Sequence, residues 1–177
     1  IETLTNFLSE LQDAPVSLFS QVPVYTGNEW RSQYRELYSQ VMARIASMLE
    51  TSTVEVINAV FDVPLNEADF FDYIPTLIHW DLTSEHILYS GDQIIGVIDW
   101  GNACFGDPSF DLAGFIMDYD SKLVQSLFDI LDVPEHCFER AQFYARISVF
   151  HGALYMEEMG DEKRLQEKLD QIKREFT

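Results

Sequence analysis

The residues able to do chemistry are concentrated in one stretch. It reads His79-Trp80-Asp81-Leu82-Thr83-Ser84-Glu85-His86-Ile87-Leu88, followed by Gly96-Val97-Ile98-Asp99-Trp100-Gly101. Asp81 falls in a loop just after an apolar β segment. His86 begins a strand-like run, His86-Ile87-Leu88-Tyr89, and Asp99 closes a second one, Gln93-Ile94-Ile95-Gly96-Val97-Ile98. Ser90-Gly91-Asp92 between them reads as a hairpin turn. A hairpin folds back on itself, so the start of its first strand and the end of its second are neighbours. His86 and Asp99 are therefore brought close, with Asp81 on the loop beside them. Such a cluster suits a hard divalent cation and leaves one carboxylate free as a base.

The elements that must hold this cluster are mostly helical. Leu4, Phe7, Leu8 and Leu11 repeat at i, i+3, i+4, i+7, which predicts an amphipathic helix over 2–13 that Pro15 stops. Asn28 is a plausible N-cap for a long helix over 29–50, with Trp30, Tyr34, Leu37, Tyr38, Val41, Ile45 and Leu49 on its apolar face. A shorter helix over 53–62 is predicted to end before Pro64. After Pro108 helical patterns return over 109–118, 120–131, 134–158 and 161–176. No internal repeat or low-complexity linker interrupts them. The expected class is α+β and predominantly α, a helical bundle with a small antiparallel β-hairpin in the middle.

Composition narrows the partners. The 177 residues carry 30 acidic and 11 basic side chains, for a formal charge of −19. That opposes nucleic acid, whose phosphates need Lys and Arg, and suits a cationic ligand, although acidity alone also keeps a protein soluble. No apolar run reaches the roughly 20 residues of a membrane span. Ile1-Glu2-Thr3-Leu4 lacks the basic and greasy regions of a signal peptide, so the expected location is the cytoplasm. Cys104 and Cys137 form no zinc or CxxC spacing and are expected as two free, partly buried thiols.

The spacing of Asp81, His86 and Asp99 resembles the catalytic loop and the following metal loop of protein-kinase-like phosphotransferases. The wording IHWDLTSEHIL…GVIDWGNACFGDPSFDLAG is similar to the aminoglycoside and macrolide phosphotransferases, closely over 77–114. This resemblance implies the C-terminal, catalytic lobe of such an enzyme, with ATP as phosphoryl donor, Mg2+ as cofactor and antibiotic resistance among its roles. It implies Asp81 as the carboxylate that takes the acceptor hydroxyl's proton and Asp99 as the metal ligand. His86 stands where Asn is usual and is carried over as the second metal ligand. Trp80 stands where Gly or Asn is usual in small-molecule kinases, and its bulk could wall the acceptor pocket or pack under the loop. His79, Asp107 and Asp111 are expected to brace the loop. The acceptor is a small-molecule hydroxyl, aminoglycoside-like acceptors being favoured. Glu157, Glu158 and Asp161 could meet a polycation, as could Asp118 and Asp120, while Tyr155 and Met156 could form an apolar wall.

A kinase also needs a glycine-rich strand–loop–strand and a strand lysine upstream of the catalytic loop. Before Asp81 this sequence has one glycine, Gly27, and no lysine; the first is Lys122. Residues 1–177 are therefore expected to form a single helical lobe whose N-terminal ATP-binding lobe lies outside them, the start resembling a cut inside a longer chain. Two other readings stay open at this stage. One is a noncatalytic small-molecule-binding or pseudokinase-like module. The other, a metal-dependent hydrolase, fits the hairpin spacing and the IDWG…GDP run poorly.

Overall fold

The computed structural model describes residues 2–91 and 93–177. It divides into two compact units, Ile1–Gly27 with Tyr73–Ala145, and Asn28–Asp72 with Arg146–Thr177. The first unit contains Asp81, His86 and Asp99. It opens with α1 (Glu2–Gln12), whose Leu8 and Leu11 are buried, as the helical spacing predicts. Two two-stranded antiparallel sheets follow among the described residues. β1 (Thr76–Ile78) pairs with β4 (Cys104–Gly106), and β2 (Ile87–Ser90) pairs with β3 (Gln93–Val97). The expected hairpin is the second of these. Its register sets Ile87 opposite Val97, with an irregularity between Leu88 and Tyr89. Gly91 takes a left-handed φ of 60° at the turn, as a tight hairpin requires. Asp92 of that turn lies outside the described residues.

Helices α4 (Ser109–Asp118), α5 (Ser121–Ile130) and the first part of α6 (Glu135–Glu158) complete the unit. They pack Leu112, Phe115, Val124, Leu127, Phe128 and Ala141 against Leu8, Leu82 and Ile87. This core links the catalytic loop, the hairpin and the helices. The loop and α4 touch at Gly114. A Cβ there would fall far inside van der Waals contact distance of the Leu82 carbonyl oxygen, with the carbonyl carbon at 3.0 Å. Both obstacles are backbone, so neither can swing aside. Gly114→Ala is expected to cost about 1–3 kcal/mol in urea unfolding, the usual range for overpacking, by pushing the loop off the helix. An unchanged denaturation midpoint would contradict this contact.

In the second unit α2 (Gly27–Gln40) buries Trp30, Tyr34 and Leu37. The single long helix expected over 29–50 is instead broken into segments. α2 widens into a π turn over Val41–Ile45 and tightens into a 3-10 turn over Ala46–Met48. The adjustment keeps Val41 and Ile45 fully buried. Asn28 lies inside the first turn, where its carbonyl accepts from Ser32 Oγ, and so does not precede the helix as its cap.

α3 (Thr51–Asn66) runs through Pro64, past the predicted stop. Proline removes a donor and disturbs the carbonyl ladder. Here Arg31 donates to the carbonyls of Pro64 (2.9 Å) and Ala68 (2.7 Å), and Arg35 to that of Leu65 (3.1 Å). These guanidiniums satisfy the exposed carbonyl end and hold the last turn. α7 (Glu162–Glu175) closes the unit, with Phe61, Phe150 and Phe176 in ring contact beneath it. Among the described residues no helix is long and apolar enough to cross a membrane.

Candidate active site

The loop between β1 and β2 is held from three sides. Asp111, buried at the start of α4, accepts the backbone N–H of His79 on one oxygen (2.8 Å) and that of Trp80 on the other (3.0 Å). The His79 ring is fully buried and spans the loop. Nε2 donates to the Ile98 carbonyl (2.8 Å), which leaves Nδ1 to accept from the Asp81 N–H (3.3 Å). Asp118, at the end of α4, accepts from the Ser84 N–H (2.6 Å). The loop backbone is thereby fixed without using the Asp81 carboxylate, which is about half exposed.

His86 joins the other two residues. Its Nδ1 must be the donor in a 2.6 Å bond to the Asp81 carbonyl, because a carbonyl only accepts. That bond turns Nε2 toward Asp99, whose Oδ2 is 3.8 Å away. The Asp81 carboxylate lies 3.7 Å from Nδ1. The Asp81 carbonyl raises the His86 pKa above its ordinary value; slight burial opposes this, and the carboxylates of Asp81, Asp99 and Glu85 add to it. Asp99 has a left-handed φ of 66° and an open side chain. Among the described residues no group of three His, Cys, Asp or Glu side chains could by itself hold a metal ion. The donor set fits Mg2+ all the same, since that ion commonly takes one or two protein ligands and completes its shell with phosphate oxygens and water.

Trp80 also has a left-handed backbone, φ 68°. Its ring meets Tyr25 edge-on at 5.3 Å and Phe110 at 6.2 Å. Behind the loop, Asp107 is fully buried and accepts from Arg140 Nε (2.6 Å), Tyr144 Oη (2.7 Å) and the Ser109 N–H (3.0 Å). His79 and Asp111 bond directly to the loop backbone, whereas the Asp107 bonds run to α4 and α6.

The chain matches the model of the phosphotransferase enzyme family APH over residues 1–143. It belongs to that family. Similar solved structures include the GDP and kanamycin complex of APH(2")-IIia, at TM-score 0.89 and 20% identity over 97% of this chain and 60% of that one. Another is macrolide 2'-phosphotransferase type I, at TM-score 0.78 and 19% identity over 97% and 57%. A third is apo macrolide 2'-phosphotransferase MphH from Brachybacterium faecium, at TM-score 0.73 and 17% identity over 94% and 57%. At these identities the likeness is one of fold, and it agrees with the expected kinase-like C-terminal lobe. The chain spans 57 to 60% of the length of these structures. No curated protein sequence matches it significantly.

The remaining acidic candidates of this APH-family chain are less free than their sequence suggests. Glu157, in the second unit, receives two bonds from the Arg44 guanidinium, which also donates to the Leu154 carbonyl. Asp161 caps α7 by accepting from the Arg164 N–H (3.1 Å). Asp120 caps α5 through the N–H groups of Lys122 and Leu123. Glu158 is exposed, as is Tyr155, while Met156 is half-buried. Arg140, Tyr144, Arg44 and Gly114 are structurally central and were not singled out by sequence. A charged residue on the apolar face of a helix, as Arg140 is on α6, was the available signal. Of the thiols, Cys104 is buried and pushed up to about 12 by burial, so it stays protonated; Cys137 is half-buried.

Burial raises the Asp111 carboxyl to about 7, against the pull of its two N–H bonds. A carboxyl raised on folding contributes stability below its unfolded value, near pH 4, and loses that contribution as pH rises through about 7. Asp111→Asn is expected to remove this dependence. It also places an NH2 group against one of two backbone donors, at a cost of about 1–3 kcal/mol. Urea midpoints of both proteins between pH 4 and 8 check it. Parallel pH profiles would contradict the titration, and equal stability would contradict the double acceptance.

Proposed function

We propose that residues 1–177 carry the acceptor-activating and metal-facing loops of a nucleotide-dependent O-phosphotransferase acting on a small-molecule hydroxyl, with aminoglycoside-like acceptors favoured. One observation carries this reading: Asp81, His86 and Asp99 meet at one end of the hairpin, with His86 tied to the Asp81 carbonyl and turned toward Asp99. Asp81 accepts the proton of the attacking hydroxyl. Asp99 and the Nε2 of His86 would hold Mg2+, which would supply charge stabilisation to the phosphates of the donor. His79 and Asp111 keep the Asp81 backbone in register, so the base is positioned before the acceptor arrives. Trp80 forms a wall of the acceptor site. The nucleotide grip comes from an N-terminal lobe outside these residues, since no lysine precedes Lys122.

The test is transfer from γ-labelled ATP and GTP to aminoglycosides, macrolides and simple amino alcohols by the full-length enzyme; both nucleotides are tried because several neighbours are GDP complexes. Transfer to at least one acceptor is expected. The 177-residue chain alone is expected to bind nucleotide weakly and to turn over little or nothing; robust turnover by it would overturn the missing-lobe reading. Acceptor binding without transfer by the full-length enzyme would favour a noncatalytic module.

A further inference from the structure

The first unit contains a cavity of about 120 Å³ to which none of the proposed catalytic or metal-facing residues contributes. α1, the hairpin, α4 and α5 line it, through Leu4, Tyr89, Ile94, Phe115, Tyr119 and Leu127 among others, and one side of it opens to solvent. Its wall is largely apolar, and its size approaches that of engineered cavities of about 150 Å³ that take up benzene. The cavity is polar at one place. There the hydroxyls of Tyr89 and Tyr119 bond each other at 3.1 Å. One O–H is used within the pair, and the second remains to donate, with lone pairs left to accept. Burial pushes the Tyr119 hydroxyl up, so it remains a donor at any working pH.

We propose that this cavity is a binding site for a small one-ring aromatic molecule carrying a single hydrogen-bonding oxygen, of the phenol class. The ring lies among Leu4, Phe115 and Leu127, and the oxygen joins the Tyr89–Tyr119 pair. A second ring would project into solvent and gain little burial, and an ionised ligand has no counter-charge in the lining. The site stands apart from the proposed phosphotransfer and does not depend on it.

Calorimetric titration of the protein with phenol and with toluene tests the proposal. Saturable binding of both is expected, phenol about fivefold tighter, the worth of one neutral hydrogen bond. Tyr89→Phe combined with Tyr119→Phe, which removes both hydroxyls, is expected to bring phenol to the affinity of toluene and leave toluene unchanged. Leu123→Phe, at the half-buried edge of the cavity, fills the space with little demand on the core and is expected to abolish binding of both. Absence of saturable binding by the wild-type protein, or undiminished binding by a folded Leu123→Phe variant, overturns the site. Equal phenol affinity in wild type and the double variant overturns the assignment of the oxygen to the tyrosine pair.

Discussion

Asp81→Asn in the full-length enzyme is expected to lower phosphate transfer by about 10²–10⁴-fold while leaving the fold intact. The factor is that of a positioned general base, which an amide cannot replace because it takes no proton at working pH. The fold is spared because the carboxylate does none of the holding. Backbone atoms of Asp81 are bound by the rings of His79 and His86, and the side chain is about half exposed. Urea midpoints of variant and wild type should agree within about 0.5 kcal/mol, as for a surface change. Acceptor binding should survive, so the loss appears in kcat more than in KM. Undiminished transfer would remove Asp81 from the chemistry. Loss of both fold and transfer would recast it as a structural residue.

Asp107→Ala is expected to give the largest loss of stability, about 3–5 kcal/mol, because it strands a buried guanidinium. Arg140 and Asp107 are both almost wholly inaccessible to water. The carboxylate also accepts from Tyr144 and from the Ser109 N–H, so the loss spreads into the first turn of α4. That helix carries Asp111, Gly114 and Asp118, which seat the loop between β1 and β2. Reduced transfer should therefore accompany the reduced stability. Asp107→Leu combined with Arg140→Met removes both charges and should recover much of the loss. Recovery stays incomplete because Tyr144 and Ser109 each still lose a bond. Urea unfolding of the two single variants and the double variant measures the coupling. A single-variant cost below about 1 kcal/mol would contradict the buried pair.

The helix-rich class, the hairpin and the meeting of Asp81, His86 and Asp99 could all be read in the chain because each depends on local pattern. Turn residues mark the hairpin, and its period brings distant ends together. What could not be read depends on partners far along the sequence. β4 has three residues, too few for alternation to register, and exists because β1 pairs with it. Pro64 signals a helix stop, yet arginines some thirty positions away supply the missing order. The π turn at Val41–Ile45 reflects packing, which no propensity encodes. Acidic residues were the least legible part of the site. Glu157, Asp118, Asp120 and Asp161 look alike as a charge pattern, and only the structure assigns each one a donor.

Trp80 holds a backbone conformation that costs an L-residue about 1–2 kcal/mol and costs glycine almost nothing. Its contacts with Tyr25 and Phe110 offset that penalty. Exchanging the indole for glycine gives up the contacts and releases the strain together, so the release returns part of what the lost packing costs. The residue beside the proposed base can therefore be cut back at a lower cost in stability than a tryptophan of equal burial on ordinary backbone.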